Sequence, residues 1–366
     1  MSAMPRILVV RLAALGDVVM ASAVLQRIRA ELPGAHVTWL CGEAAAAIVR
    51  LFEGVDEVLT VDDARIFRGN ALVRGLEIGR LWARLARRRF DRVLLGHPDP
   101  RYRALVPVRR RKVHAFRRGP HNPMPLPGRF AGDEFARLLD PSGSHDGPIV
   151  GHWPIADVRP RLPRERVLPS SPAGGLIGLV PGGARNILRD DALRRWPVER
   201  YAALARTLLA AGHRVVLIGD AGDAWVRPHF EGLAVLDRLG ALSLTGTLAA
   251  LRDCDLVVAH DTGPMHLARL VRAPTIALFG PTNPRERLVE DGLTFPLWGG
   301  ADLACRPCYD GRSYAACRSN VCIQEITAEA VARLAEKILG DRAARPDAAR
   351  AAAHVTQEHP EGLKPG

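Results

Sequence analysis

The sequence predicts an α/β protein made of two doubly wound halves that face each other across a cleft. Three observations carry this. Short apolar runs of strand length alternate with helix-period patterns from Arg6 to Leu95, and the same alternation restarts at Leu176 and runs to Phe279. The first apolar run of each block ends in a glycine turn: LAALGDVV follows Arg11, and Pro181-Gly182-Gly183 follows Val180. Between the blocks, Pro98 to Pro172 holds many Pro and Gly residues and little regular pattern.

A chain of 366 residues is too long for one ordinary core. The expected division is residues 1–165, then 173–340, with the Pro/Arg-rich stretch Arg159 to Pro172 as linker and 341–366 as a disordered tail. In the first half, Arg6 to Arg11, His36 to Leu40, Glu57 to Val61 and Arg92 to Leu95 read as strands. A helix carrying Val24, Leu25, Ile28 and Leu32 on one face stops at Pro33-Gly34, and Ala71 to Arg87 reads as an Arg-rich amphipathic helix. Gly119 to Arg129 should be an irregular loop. In the second half the strands are Leu176 to Val180, Arg214 to Gly219, Leu256 to Val258 and Thr275 to Phe279. Helices are expected at Val198 to Ala211, Leu248 to Arg252, Met265 to Val271 and Ala328 to Leu339.

Composition bounds the function. The 48% apolar and 25% charged shares are those of a soluble globular protein. No uncharged apolar run is long enough to span a membrane and no secretory leader precedes the first strand, so a cytoplasmic location is expected. The net charge of +12 comes almost wholly from Arg, since Lys stands only at Lys112, Lys337 and Lys364. Such an excess suits an anionic partner: a phosphorylated sugar, a lipid head group or nucleic acid. The basic runs Arg109-Arg110-Arg111-Lys112 and Arg117-Arg118 are either solvated surface or a guide for such a partner.

The stretch AHDTGPMHLA, Ala259 to Ala268, joins a strand to a helix. Gly263 and Pro264 mark a sharp helix start, whose free N–H groups would form an anion pocket at the carboxyl edge of a parallel sheet. Asp261, Thr262 and His266 surround that point. Earlier in the chain, Gly16 permits a tight turn after the first strand, and Asp17 falls at or near the next helix start. There it either caps the helix or faces whatever binds at the strand ends. Neither a G-x-G-x-x-G fingerprint nor a P-loop occurs, which counts against hydride transfer and P-loop phosphoryl transfer. Cys41 and Cys254 read as core residues, whereas Cys305, Cys308, Cys317 and Cys322 form C-x2-C-x8-C-x4-C, open either to a structural zinc site or to free thiols.

These pieces in this order resemble glycosyltransferase family 9, the heptosyltransferases of the lipopolysaccharide inner core. The resemblance is carried by RILVVRLAALGDVV, PGG with RRWP, HDTGPMHLA with IALFGPTNP, and the late Cys-rich segment, from about residue 5 to residue 340. It implies a GT-B fold, a nucleotide-sugar donor (typically ADP-heptose), inversion at the anomeric carbon and no catalytic metal or required cofactor. It further implies a lipid-linked glycan acceptor and peripheral contact with the inner membrane; no nucleic-acid partner is expected, since the sequence lacks any helix-turn-helix, zinc-finger or RNA-binding signature. By resemblance Asp17 is the catalytic base, and Arg194, Asp261, Thr262, Gly263 and His266 bind the donor, with Arg195 a further candidate for the diphosphate. Ala13 and Ala14 replace small hydroxyl residues common in the family, Met20 replaces a common His, and Arg194 stands where Lys is common. The rival readings are a same-fold transferase using another nucleotide sugar, a non-catalytic nucleotide-sugar binder, and a nucleic-acid-binding protein.

Overall fold

The first strand, β1 (Arg6–Val10), shows how the chain is layered. Ile7 and Val9 join one buried apolar cluster while Leu8 and Val10 join another. Alternate residues therefore serve the two faces of a sheet covered on both sides. The computed structural model describes residues 4–107, 112–116, 125–140, 151–170, 174–185, 189–310, 313–317 and 319–344. In the first half β1 is followed by α1 (Leu15–Ala21), α2 (Ala23–Glu31), β2 (His36–Gly42), α3 (Glu43–Val49), β3 (Glu57–Val61), α4 (Asp63–Arg68), α5 (Ala71–Ala86), β4 (Arg92–Leu95), α6 (Pro100–Ala104), β5 (Val113–Ala115) and α7 (Ala131–Arg137). The strands pair in parallel in the order β3-β2-β1-β4-β5.

The second half runs β6 (Leu176–Val180), α8 (Val198–Ala210), β7 (Arg214–Leu217), β8 (Leu236–Asp237), α9 (Leu244–Asp253), β9 (Leu256–His260), α10 (Gly263–Leu270), β10 (Thr275–Phe279), β11 (Thr294–Trp298), α11 (Val321–Gln324) and α12 (Ala328–Ala344). Its parallel order is β11-β10-β9-β6-β7-β8. In both sheets the chain winds outward one way, then returns to the middle and winds the other way. The reversal leaves a crevice at the carboxyl ends of β1 and β4, and of β6 and β9, where such folds bind ligands.

The two halves share a core. One apolar cluster joins Ile7, Val18, Val19 and Trp39 to Val257, Met265, Leu270 and Ala277, so α1 and α10 meet between the sheets. The outer faces carry separate clusters: Leu81, Leu85 and Phe90 behind the first sheet, Trp196, Tyr201 and Ile338 behind the second. Among the described residues no helix is long and apolar enough to cross a membrane.

Several expectations need correction. The single helix expected after the first strand is broken at Ser22, whose Oγ donates to the Val19 carbonyl and accepts from Ala156 N–H. The pattern-poor middle contains α6, β5 and α7. Helix α12 extends four residues past Gly340 into the segment expected to be a tail, while residues 345–366 lie outside the described residues. Of the expected loop at 119–129, residues 125–129 are irregular and 119–124 lie outside the described residues. So do the basic runs, apart from Lys112.

Candidate functional site

A cavity of about 640 Å³ lies where the two crevices meet. Its walls come from the β1–α1 connection, Leu12 to Asp17, and from the β9–α10 connection, Asp261 to Pro264, with His266 on the next turn. The glycine turn after β6 adds Gly183 and Ala184. Of the residues predicted from sequence, Asp17, Arg194, Asp261, Thr262, Gly263 and His266 all line this space. Arg195 does not. It lies behind the glycine turn, where its Nε donates to the Gly183 carbonyl at 2.9 Å, its fork pairs with Asp190, and its guanidinium sits 5.8 Å from the Trp225 ring.

Asp17 is the third residue of α1, and the capping position belongs to Ala14, so the capping alternative does not apply. Its carboxylate pairs instead with Arg11. Arg11 is itself fixed: Nη1 donates to the Gly96 carbonyl at 2.7 Å, and its guanidinium lies 5.7 Å from the Phe135 ring. Burial works to raise the Asp17 pKa, but the charges of Arg11 and Arg287 outweigh it and hold the carboxyl below its ordinary value. The side chain is ionised near neutrality and 35% exposed toward the cleft.

Gly16 is needed for closeness rather than for a turn. It sits inside α1, and a Cβ there would stand 2.6 Å from Cδ2 of His266. The absent side chain lets α10 approach α1 and brings His266 against the α1 backbone at Gly16. Gly183 does need its backbone freedom, with φ +80, and a Cβ there would strike the Thr262 hydroxyl at 2.5 Å. That hydroxyl accepts a hydrogen bond from Ala184 N–H at 2.8 Å, tying the β6 and β9 turns together and leaving its proton to donate. Thr262 occupies the capping position of α10 without a side-chain cap, Gly263 and Pro264 form the first turn, and the helix N-terminus opens onto the cavity.

Opposite that opening, Arg194 reaches two buried carboxylates, with Nη2 2.8 Å from Asp191 and Nη1 3.4 Å from Asp261. Asp261 also accepts from the Thr282 hydroxyl at 2.8 Å and faces Arg287 at 3.9 Å and His266 at 3.9 Å. Burial would raise its pKa, but Arg194 and Arg287 carry it down to about 2. The site is therefore a lattice of fixed charges, in which Arg185, Arg189, Arg194 and Arg287 stand among the carboxylates of Asp17, Asp191 and Asp261. Sequence reasoning missed Arg11, Asp191, Arg287, Tyr309 and Tyr314. Asp191 lies in the polar stretch between the glycine turn and Trp196, and an Arg in this Arg-rich chain carries no signal of its own.

The buried histidines make the fold sensitive to acid. Burial pushes His260 and His266 down to about 3, helped by Arg194 near the first and Arg269 near the second. Both are neutral in the folded chain at pH 7, whereas in the unfolded chain they titrate near 6.5. Their contribution to stability is thus whole above pH 6.5 and is lost as pH falls toward 3, at about 1.4 kcal/mol per pH unit for each. Asp63 and Glu134, raised by burial, act in the opposite sense. The expected result is therefore read as a difference: in urea unfolding at pH 6.0, 5.0 and 4.0, His266→Gln should lose stability less steeply than the wild type. Parallel slopes would mean that His266 is charged in the fold.

The four late cysteines do not form the zinc site their spacing allowed. Cys305 and Cys317 are exposed, whereas Cys322 is buried. Helix α11 carries Cys322 into a tight contact with Gly280 and Gly300 and turns its Sγ toward Asn320. Among the described residues no group of three or more His, Cys, Asp or Glu side chains is arranged to hold a metal ion.

Two parallel sheets of the dinucleotide-binding winding, facing across a cleft with an open helix N-terminus on one side, define a GT-B-type fold. Residues 177–289 match the profile of glycosyltransferase family 9 (heptosyltransferase). Lipooligosaccharide heptosyltransferase 2 of Haemophilus influenzae is 32% identical over 117 residues, which is 30% of this chain and 32% of that protein. Lipopolysaccharide heptosyltransferase 1 of Escherichia coli K12 is 34% identical over 104 residues, 26% of this chain and 30% of that protein. The match thus spans about a third of the length of these relatives. In structure, a family 9 glycosyl transferase from Veillonella parvula superposes with a TM-score of 0.68 at 23% identity, over 92% of this chain and 97% of its own. E. coli heptosyltransferase WaaC with ADP-2-deoxy-2-fluoro heptose gives 0.63 at 20% identity, over 91% and 99%. The likeness to glycosyltransferase family 9 thus covers residues 177–289 in sequence and most of the chain in fold.

Proposed function

We propose that this chain is an inverting glycosyltransferase that moves heptose from ADP-heptose onto a lipopolysaccharide core or a related anionic glycolipid. Residues 1–165 form the acceptor side and 173–340 the donor side. The reading is supported above all by one juxtaposition: Asp17, from the first sheet, shares a cavity with the start of α10 and with Arg194, from the second. Inverting transfer needs a base behind the sugar and positive charge around the departing diphosphate, held in one site. The relatives named above are heptosyltransferases, and one was crystallised with an ADP-heptose analogue.

In this mechanism an acceptor hydroxyl oxygen bonds to the anomeric carbon as the bond from that carbon to the diphosphate breaks. The electron pair leaves with ADP, and the hydroxyl proton passes to Asp17. Asp17 is a weak base in the ground state, yet the hydroxyl grows acidic as its oxygen bonds to carbon, so an ionised, fixed carboxylate suffices. Arg194, Arg287 and the N–H groups of α10 face the growing negative charge, which stabilises the transition state more than the bound donor. Thr262 can donate its remaining proton to the same group. The acceptor side is lined by Ala13, Ala14, Met20, Ala44, Ala45 and Asp63, a mostly apolar wall carrying one carboxylate. A lipid-linked acceptor brings the chain to the inner membrane surface.

The test is thermal unfolding with ADP, UDP, GDP, CMP and their sugar conjugates. ADP and ADP-heptose should raise the melting temperature, because a ligand at about 100 times its Kd adds about 2.7 kcal/mol of stability. A shift with another nucleotide alone would replace the donor within the same fold. No shift with any of them would remove the donor-binding reading.

A further inference from the structure

Helix α5 has an apolar face that the fold leaves uncovered. On one side Leu81 and Leu85 are buried behind the first sheet. On the other, Leu72 is 79% and Leu76 64% exposed. At 100° per residue, Leu72, Leu76 and Ala83 fall on one outward stripe with Gly79 between them, and Ala86 lies at its edge. Helix packing does not explain two exposed leucines one turn apart, since the core contacts of α5 are already made by the opposite face.

The surroundings of the stripe carry one sign of charge. Arg80 and Arg87 flank it and are exposed, and Arg89 follows the helix end. Glu77 is the single acid of α5, and it is turned inward, to the Asp62 backbone N–H at 3.4 Å and toward Arg80 at 3.6 Å. On the other flank Trp82, 43% exposed, is pinned by a hydrogen bond from Nε1 to the Ala104 carbonyl at 3.0 Å. Leucines at the centre, arginines on one edge and an indole on the other form the pattern of a helix lying in a membrane interface, where apolar groups enter the acyl boundary and cations meet anionic head groups. An antiparallel second copy of this chain would instead bring the arginine edges together.

We infer that the outer face of α5 docks this protein on an anionic lipid bilayer. Position supports it: α4, six residues and about 9 Å long, leads directly into α5, and its first residue, Asp63, lines the acceptor side of the cleft. A bilayer held by α5 therefore lies beside the cleft wall that would receive a lipid-linked acceptor. The need for such a surface rests on the acceptor proposed above, but its test does not, because the vesicles carry no acceptor.

The full chain is sedimented with vesicles of phosphatidylcholine alone and with vesicles of equal parts phosphatidylcholine and phosphatidylglycerol. Binding is expected to the anionic vesicles and to weaken with added salt. Leu72→Glu/Leu76→Glu should weaken it about tenfold or more, and Arg80→Glu/Arg87→Glu should do so at low salt. ADP stabilisation should be unchanged in both variants, which shows that they fold. Wild-type binding that is absent, equal on both vesicles, or untouched by both double variants overturns the docking surface. So does a dimer in sedimentation velocity that the leucine variant splits without altering vesicle binding. Vesicle binding without glycosyl transfer would keep the docking surface and remove the proposed reaction; transfer to a soluble acceptor without vesicle binding would do the reverse.

Discussion

Asp17→Asn is expected to slow glycosyl transfer about 10²- to 10⁴-fold, the range for losing a positioned general base, while donor binding stays within a few-fold. The asparagine is nearly isosteric and can still accept a hydrogen bond from Arg11, so α1 should keep its place against α10. What it loses is the ability to take the proton. A partial loss of stability should accompany this, because the buried Arg11 guanidinium keeps the Gly96 carbonyl but no longer faces a charge. Asp17→Glu makes the complementary test: it keeps the charge but moves the carboxylate by one methylene, so turnover should fall despite an intact base. The held-down pKa also fixes the sign of the pH profile. Asp17 is already ionised well below neutrality, so its titration should not shape activity between pH 5 and 8. Near-normal turnover of a folded, ADP-binding Asp17→Asn chain would take the base role away from this residue.

The sheets and much of the cleft could be read in advance because their signals are local. A parallel strand buried on both faces is an apolar run in the sequence, and Leu176–Val180 and Thr275–Phe279 have the bounds their runs suggest. The β9–α10 turn is likewise announced within ten residues. Other features depend on neighbours far away in the chain. Gly16 looks like a turn glycine until α10 folds against it. In α7, Asp133, Glu134 and Arg137 have the composition of a surface helix, yet all three are buried. Glu134 accepts from Leu126 N–H and pairs with Arg137, and Asp133 accepts from Trp153 N–H and meets His152. Helices α3 and α4, at seven and six residues, are too short to show a period. Cysteine spacing left a metal site open because it ignores that α11 packs Cys322 against Gly280 and Gly300 while Cys305 and Cys317 stay exposed.

Arg194→Ala is expected to cost the reaction roughly 3–4 kcal/mol of transition-state stabilisation, a loss of about two to three orders of magnitude in kcat. The size follows from the place of Arg194 beside the cavity and the helix start, where charge grows during the reaction. If its contact formed equally with bound donor and transition state, KM would rise and kcat would stand still. Arg194→Lys should fall between, because the guanidinium fork spans Asp191 and Asp261 while an ammonium satisfies one carboxylate at a time. Stability is the confounding effect. Asp191 and Asp261 side chains are only 4% and 3% exposed, and removing Arg194 leaves Asp191 with Arg189 at 3.7 Å and Asp261 with Arg287 at 3.9 Å as remaining ion pairs. A double-mutant cycle separates the two effects. Asp261→Asn on the Arg194→Ala background removes a stranded negative charge, so it should restore part of the melting temperature while kcat stays low. Recovery of kcat together with stability would mean that Arg194 holds the fold of the site and does not act on the diphosphate.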